Sequence, residues 1–142
     1  VLLDVPVTDT LKIEFTAVPI KHDKTVCDIS VLVFVDPEAP DPAFDGYLLS
    51  AGGFWNTMSQ FIKRRQWLAK TEAFVLTPGK EHRVKVVFDS GHIRYWVADQ
   101  IILECWDPEP ISPEENHVIG LRTFDTEVHF DDIKVSHGTV GQ

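Results

Sequence analysis

Sulfur is scarce in this chain of 142 residues, which carries one methionine and two cysteines, Cys27 and Cys105. At most one disulfide is therefore available to hold the fold. Both cysteines sit in apolar, strand-like text, where a buried free thiol is the expectation and a single disulfide the alternative. Cations are in deficit as well. Thirteen Lys and Arg against 22 Asp and Glu leave a formal charge of -9, which opposes the phosphate attraction that dominates nucleic-acid binding. Nucleic acid and anionic membranes are thus not expected as partners. No apolar run reaches the roughly 18 residues that cross a bilayer. The opening "VLLDVPVTDT" has neither the basic start nor the cleavage site of a secretory leader. Export stays undecided, with a secreted or periplasmic location slightly favoured. Repeats and low-complexity tracts are missing too, and so are a GxSxG elbow, an HExxH pair, a P-loop, a dinucleotide fingerprint and any zinc-like spacing among the six histidines.

What the chain does have is 44% hydrophobic residues, enough for one core and little more. Runs rich in Val, Ile, Phe and Tyr recur between turn signals and no stretch sustains a helical period, so the expected fold is an all-β, two-sheet antiparallel sandwich. A single sandwich domain over 1–136 is expected, with a small polar tail at 137–142. Strands are predicted at 11–18, 26–35, 46–51, 57–64, 72–76, 83–88, 92–98, 101–106, 118–124 and 127–135. The clearest hairpin is "RVKVVFDSGHIRYWVAD", with Asp89, Ser90 and Gly91 at its turn. A second reversal near Asp99 and Gln100 feeds "IILECW". The loops "DPEAPDPAFDG" and "DPEPISPEEN" are too rich in proline and acid to continue a sheet and belong at the rim.

Period-two alternation then assigns faces. Cys27, Ile29, Val31, Val33 and Val35 form one apolar face, which turns Asp28, Ser30, Leu32 and Phe34 the other way. Ile119, Leu121 and Thr123 suit the core, leaving Arg122 and Phe124 opposite. A bulge at Asp131 and Asp132 is required if Val128, Phe130, Ile133 and Val135 are all to face inward.

The segment "GYLLSAGGFWNTMSQFIKRR" concentrates polar chemistry beside an apolar strand. Tyr47, Trp55, Asn56, Thr57, Gln60, Arg64 and Trp67 supply amides, hydroxyls, a guanidinium and aromatic faces within a short span, the mixture that sugar hydroxyls and C–H faces need. Each has a plainer reading as well: a local turn for Asn56 and Thr57, core or loop packing for the tryptophans, and solvent exposure for Asp28 and Ser30. Asp36, Asp41 and Asp45 share a loop and offer hard oxygen ligands, so a structural calcium is weighed against a solvated acidic loop, and the loop is preferred. "ECWDPE" spaces its acids irregularly and does not supply the paired carboxylates of a glycosidase strand.

"HRVKVVF", "HIRYWVADQIILECWDP" and "GLRTFDTEVHFDDIKV" together resemble the later strands of the concanavalin A-like lectin/glucanase sandwiches. Within that superfamily "GYLLSAGGFWNT" is similar to bacterial glycosyl-hydrolase-type domains of the YesU-like and 3-keto-disaccharide hydrolase-like groups. The likeness spans most of 26–136 and departs at Ala98-Asp99, where Asn-Gly or Asp-Gly is usual. It implies a jelly-roll sandwich with a concave sheet on which a saccharide lies. Asp28 is then a candidate acid or base. Arg64 and Arg122 are candidates to hold a uronate or polarise a keto group, and Ser30, Tyr47, Trp55, Asn56, Thr57, Gln60, Trp67 and Phe124 are candidates to bind the sugar. Two functions follow, a noncatalytic saccharide-binding module or a glycoside hydrolase or lyase using the same face. A structural sandwich mediating protein contacts is the third. Neither a cofactor nor a metal is required by any of them.

Overall fold

The computed structural model describes residues 2–4, 10–22, 25–114 and 118–137. Among the described residues, eleven strands build two antiparallel sheets. One runs in the order β1 (Leu2–Asp4), β10 (Val118–Arg122), β3 (Ile29–Val35), β4 (Tyr47–Gly52), β5 (Met58–Lys63), β6 (Gln66–Thr71). The other runs β11 (Glu127–His137), β2 (Thr10–Ile20), β7 (His82–Asp89), β8 (His92–Val97), β9 (Gln100–Trp106). The all-β sandwich expected from the sequence is the fold observed. No helix among the described residues is long and apolar enough to cross a membrane.

Alternation explains how the sheets close on each other. In β2, Leu11, Ile13, Phe15 and Ala17 are buried while the intervening residues are half-exposed. They meet Ile29, Val31, Val33, Leu49 and Phe61 of the six-stranded sheet in one core. Phe88 anchors its centre, with ring centroids 5.0 Å from both Phe34 and Tyr47. Each fully buried side chain of this size contributes roughly 1.5–3 kcal/mol through removal from water.

The expected face assignment of β3 fails at its last two residues, Phe34 and Val35. Phe34 adopts φ 54° and turns into the core instead of away from it. The pairing of β10 with β3 skips it, passing from Val118–Val35 to Ile119–Val33. Phe34 is thus the extra residue of a bulge, which sends Val35 to the opposite face. There Val35, Leu32, Leu48 and Val118 form a smaller cluster beneath Ala43 and Phe44, carried by a short 3-10 turn at Pro42–Phe44. Gly46 is needed against this bulge, because a Cβ there would lie 2.3 Å from the Phe34 carbonyl oxygen.

Two strand boundaries differ from expectation for the same reason. The strand predicted at 57–64 ends at Lys63, and β6 occupies Gln66–Thr71 while 72–76 is loop. Arg64 and Arg65 form the intervening turn at φ 45° and 71°. A two-residue hairpin turn favours such left-handed pairs, and they are usually signalled by Asn or Gly, so two arginines gave no warning. Ala98 and Asp99 do the same between β8 and β9, at φ 51° and 65°. The bulge expected in the last strand is present, with a register shift between Asp131 and Lys134 and Asp132 at φ 53°. Val128, Phe130 and Val135 pack inward, and Ile133 stays 48% exposed. Strand β11 runs on to His137, and the rest of the expected tail lies outside the described residues.

Asp107 pins the loop that follows β9. Its buried carboxylate accepts from Tyr47 Oη at 2.6 Å and pairs with Lys63 Nζ at 2.8 Å, while the Ile111 N–H donates to Tyr47 Oη at 3.0 Å. Burial works to raise this carboxyl, but the bonds from Lys63, Tyr47 and the Glu109 backbone outweigh it and hold it below its ordinary value.

Candidate functional site

The outward face of the six-stranded sheet presents two parallel rows. Pairing sets Arg122 opposite Ser30, Ser30 opposite Ser50, Ser50 opposite Gln60 and Gln60 opposite Lys70. The neighbouring row is Gly120, Leu32, Leu48, Ile62 and Trp67. A polar stripe therefore crosses the sheet beside an apolar one, because side chains two apart on a strand share a face, and on β6 a register shift aligns Trp67 and Lys70, three apart, with the two rows.

Beyond the polar row the chain makes an unusual turn. Gly52 has φ 77°, and Phe54, Trp55 and Asn56 follow at 48°, 56° and 64°. Left-handed backbone costs a non-glycine residue about 1–2 kcal/mol, so this turn needs external support. Asn56 supplies much of it. Its side-chain oxygen accepts from the Leu76 N–H at 2.6 Å and its amide donates to Leu76 O at 2.8 Å. Thr57 Oγ1 donates to Phe54 O at 2.7 Å. The result is that Phe54 and Trp55 are held out at 53% and 43% exposure. Such strain is stored where the surrounding structure fixes it, commonly at binding sites.

Cys27 ties both walls of the site together. Its Sγ accepts from the Trp55 N–H at 3.4 Å, its backbone N–H donates to Thr126 Oγ1 at 2.8 Å, and its carbonyl accepts from Thr123 Oγ1 at 3.1 Å. Trp55 on one loop and Phe124 on the other then meet edge to face, with centroids 5.7 Å apart. Cys27 is buried, and like Cys105 it is a free thiol. Burial pushes its pKa up, so it acts here as a small packing and accepting group. Nothing in the sequence links position 27 to 123–126, and this anchoring role was not foreseen.

A groove of about 370 Å³ opens between these walls, lined by Cys27, Asp28, Phe44, Leu48, Phe54, Trp55, Gln60, Ile62, Arg122 and Phe124. Its volume falls in the ~300–1,000 Å³ range of small-molecule sites. Of the five exposed aromatic side chains among the described residues, Phe54, Trp55, Trp67 and Phe124 are at or beside this groove. Clusters of exposed apolar side chains are common at recognition surfaces.

Asp28 lies at its floor, 6% exposed, with Oδ1 buried and without a hydrogen-bond partner among the described residues. Its other contacts are local. The backbone N–H donates to Gly52 O at 2.9 Å, and the carboxyl shares the Ser30 hydroxyl, which lies 2.8 Å from Ser50 Oγ. Burial raises the Asp28 carboxyl above its ordinary value, against the opposing pull of Ser30, Arg122 and the Phe124 backbone. The Arg122 guanidinium sits 5.8 Å from the Phe44 ring centroid and 6.0 Å from that of Phe124. Gln60 is buried on the facing strand and accepts from Trp67 Nε1 at 2.8 Å, which fixes the orientation of its amide.

The structure thus brings together Asp28, Ser30, Trp55, Gln60, Arg122 and Phe124, with Trp67 attached through Gln60 and Phe54. Other expected site residues lie elsewhere. Tyr47 faces the core, fully buried, because β4 alternation places it beside Leu49 and Ala51 rather than Leu48 and Ser50. Arg64 belongs to the β5–β6 turn and donates through Nε to Asp45 O at 3.2 Å, outside the groove lining. Asn56 and Thr57 are spent on the turn itself. In the acidic loop, Asp45 accepts from the Asp36 N–H at 3.1 Å and Asp36 from the Glu38 N–H at 2.9 Å. These carboxylates brace the loop backbone.

No family model and no curated protein matches the chain. Solved structures define its fold as that of the galectin-like jelly-roll sandwiches. Sheep galectin-11 in complex with glycerol superposes with a TM-score of 0.68 over 96% of each chain at 11% identity. A human galectin-16 variant gives 0.69, covering 97% of this chain and 95% of its own at 12% identity. The carbohydrate binding module CBM66 from Bacillus subtilis gives 0.68, covering 95% of this chain and 76% of its own at 11% identity. Identities this low establish shared architecture.

Proposed function

We propose that this domain is a noncatalytic saccharide-binding module and that the sugar lies in the groove between Trp55, Phe124 and the polar row of the six-stranded sheet. The observation that carries the reading is the meeting, in one groove, of the Asp28 carboxyl and the Arg122 guanidinium with the exposed rings of Trp55 and Phe124. A carboxyl in the groove lining can accept from a ligand hydroxyl. Arg122 offers donors to a neighbouring ring or hydroxyl oxygen, and the aromatic walls accept the C–H face of a pyranose. The names of solved neighbours in fold, which include galectins and a carbohydrate binding module, point the same way.

Hydrolysis of the YesU-like type is less well supported by the geometry. Glycosidases set two carboxyl groups about the bond they cleave, and Asp28 is the one acidic residue in the lining. Arg64, the other cation weighed for a catalytic role, stands outside it. The test is ligand-observed NMR with a panel of neutral and uronate-containing oligosaccharides, followed over hours. The reading predicts line broadening that disappears in Asp28→Asn, with no new product signals. Product formation that depends on Asp28 would replace it with an enzyme.

A further inference from the structure

The groove is more apolar than a sugar ring alone requires. Seven of its ten lining residues, Cys27, Phe44, Leu48, Phe54, Trp55, Ile62 and Phe124, present hydrocarbon, sulfur or aromatic surface. These are not spread evenly. Phe54, Trp55 and Phe124 stand beyond one side of the polar row. Leu48 and Ile62 occupy the adjacent row, directly paired across β4 and β5, and Phe44 closes over them from the Pro42–Phe44 turn. Residues two apart in a strand are separated by about 6.6–6.8 Å along it, so the polar and apolar rows are roughly one sugar ring apart. Leu48 is 2% exposed and already packed. Ile62 is half-buried and continuous with Trp67, its partner on β6. The remaining hydrocarbon is thus Ile62, set between two rings that carry cations: Phe44, with the Arg65 and Arg122 guanidinium groups 4.9 Å and 5.8 Å from its centroid, and Trp67, with Lys70 Nζ at 4.2 Å.

We infer that the groove takes a glycoside with an apolar aglycone, an alkyl chain or an aryl ring, whose sugar engages Asp28 and Arg122 while the aglycone lies on Phe44 and Ile62. This deepens the saccharide reading and rests on it. Complementarity on both sides supports the assignment: a donor–acceptor pair matches the hydroxyl-bearing part, and Ile62 between the two rings matches the part that carries no polar groups. A free oligosaccharide can lay C–H faces on the rings but sets hydroxyls against Ile62, where nothing pairs them, which is unfavourable. An alkane alone would set hydrocarbon against the polar groups of Asp28, Gln60 and Arg122 in the same lining.

Isothermal titration of methyl, octyl and p-nitrophenyl glycosides of the same sugars tests this, with 1-octanol as a sugar-free control and all amphiphiles kept below micelle formation. The octyl or nitrophenyl glycoside should bind roughly tenfold or more tightly than the methyl glycoside, as burial of two or so methylene groups provides. Ile62→Gln should abolish that gain, bringing octyl and methyl glycosides to equal affinity, whereas Asp28→Asn should weaken both. Equal affinity for methyl and octyl glycosides overturns the aglycone proposal and leaves saccharide binding intact. Octanol binding as tightly as octyl glycoside, unaffected by Asp28→Asn, overturns the saccharide reading instead. Absence of binding across the whole series overturns both. Circular dichroism of Ile62→Gln and Asp28→Asn confirms that each variant is folded, so that loss of binding is not loss of structure.

Discussion

The rings of Trp55 and Phe124 meet edge to face, at 5.7 Å between centroids and 72° between planes. They come from loops 69 positions apart in the sequence and are held in register by bonds to one residue, Cys27. Because both rings are substantially exposed, their removal should subtract from ligand contact far more than from the core. Trp55→Ala is expected to weaken saccharide binding roughly tenfold, with a melting temperature within a few degrees of wild type. Titration calorimetry beside thermal melts separates the two effects. A large loss of stability with unchanged affinity would assign the pair to packing.

Asn56 should behave in the reverse manner. Asn56→Ala removes both bonds to Leu76 and places alanine at φ 64°, an expected loss of about 2–4 kcal/mol from the hydrogen bonds and the left-handed backbone. Asn56→Gly relieves the backbone but not the bonds and should recover part of that loss. Urea unfolding of the two variants gives the comparison. Equal stability of both would show that the left-handed conformation contributes nothing.

Tyr47 and Asp107 supply a test of what lies outside the groove. Tyr47→Phe removes the bonds to Asp107 and to the Ile111 N–H. A cost of roughly 1–3 kcal/mol is expected, because a buried carboxylate and a buried N–H lose a partner. Saccharide affinity should not move, and Arg64→Ala, in the β5–β6 turn, should leave it unchanged too. A marked affinity loss in either variant, with the fold intact, would bring these residues back into the site.

Acid behaviour should distinguish the two buried aspartates. The Asp107 carboxyl is lowered in the folded chain, so its stabilisation is present above the unfolded value of 3.8 and is lost as pH falls through the folded pKa. Asp28 is raised. The folded chain then holds a proton that the unfolded chain has released, and stability falls as pH rises from 3.8 to the folded pKa. Asp28→Asn should remove that falling segment, and Asp107→Asn should remove the acid-side loss. Urea unfolding at half-unit pH steps reads both, and an unchanged profile in Asp28→Asn would mean that its carboxyl titrates alike in both states.

Much of the fold was legible because strand alternation carries it. The β7–β8 hairpin announces itself through Ser90-Gly91, and turning Val128, Phe130, Ile133 and Val135 to one face required the bulge at Asp131 and Asp132, which is present although Ile133 stays exposed. The turns at Arg64-Arg65 and Ala98-Asp99 were less legible, since neither pair contains the residues that adopt positive φ cheaply. Phe34 shows the same limit, as a left-handed phenylalanine is set by tertiary packing against Phe88. For the site, alternation correctly turned Asp28, Ser30 and Arg122 to one face. Applied along Tyr47, Leu49 and Ala51 it also places Tyr47 in the core, against the sugar contact expected of it, but it could not reveal that Asn56 is consumed by Leu76. Long-range partners such as Cys27 with Thr123 and Thr126 leave no local periodic trace.

The most direct test of the central claim is a backbone and indole ¹H–¹⁵N NMR titration with a saccharide that binds. The account predicts that shifts concentrate at Asp28, Gln60, Arg122 and Phe124 and at the indoles of Trp55 and Trp67, while the indoles of Trp96 and Trp106 on the five-stranded sheet stay in place. Shifts confined to Trp96, Trp106 and their neighbours would contradict it, and would move the binding surface to the opposite sheet.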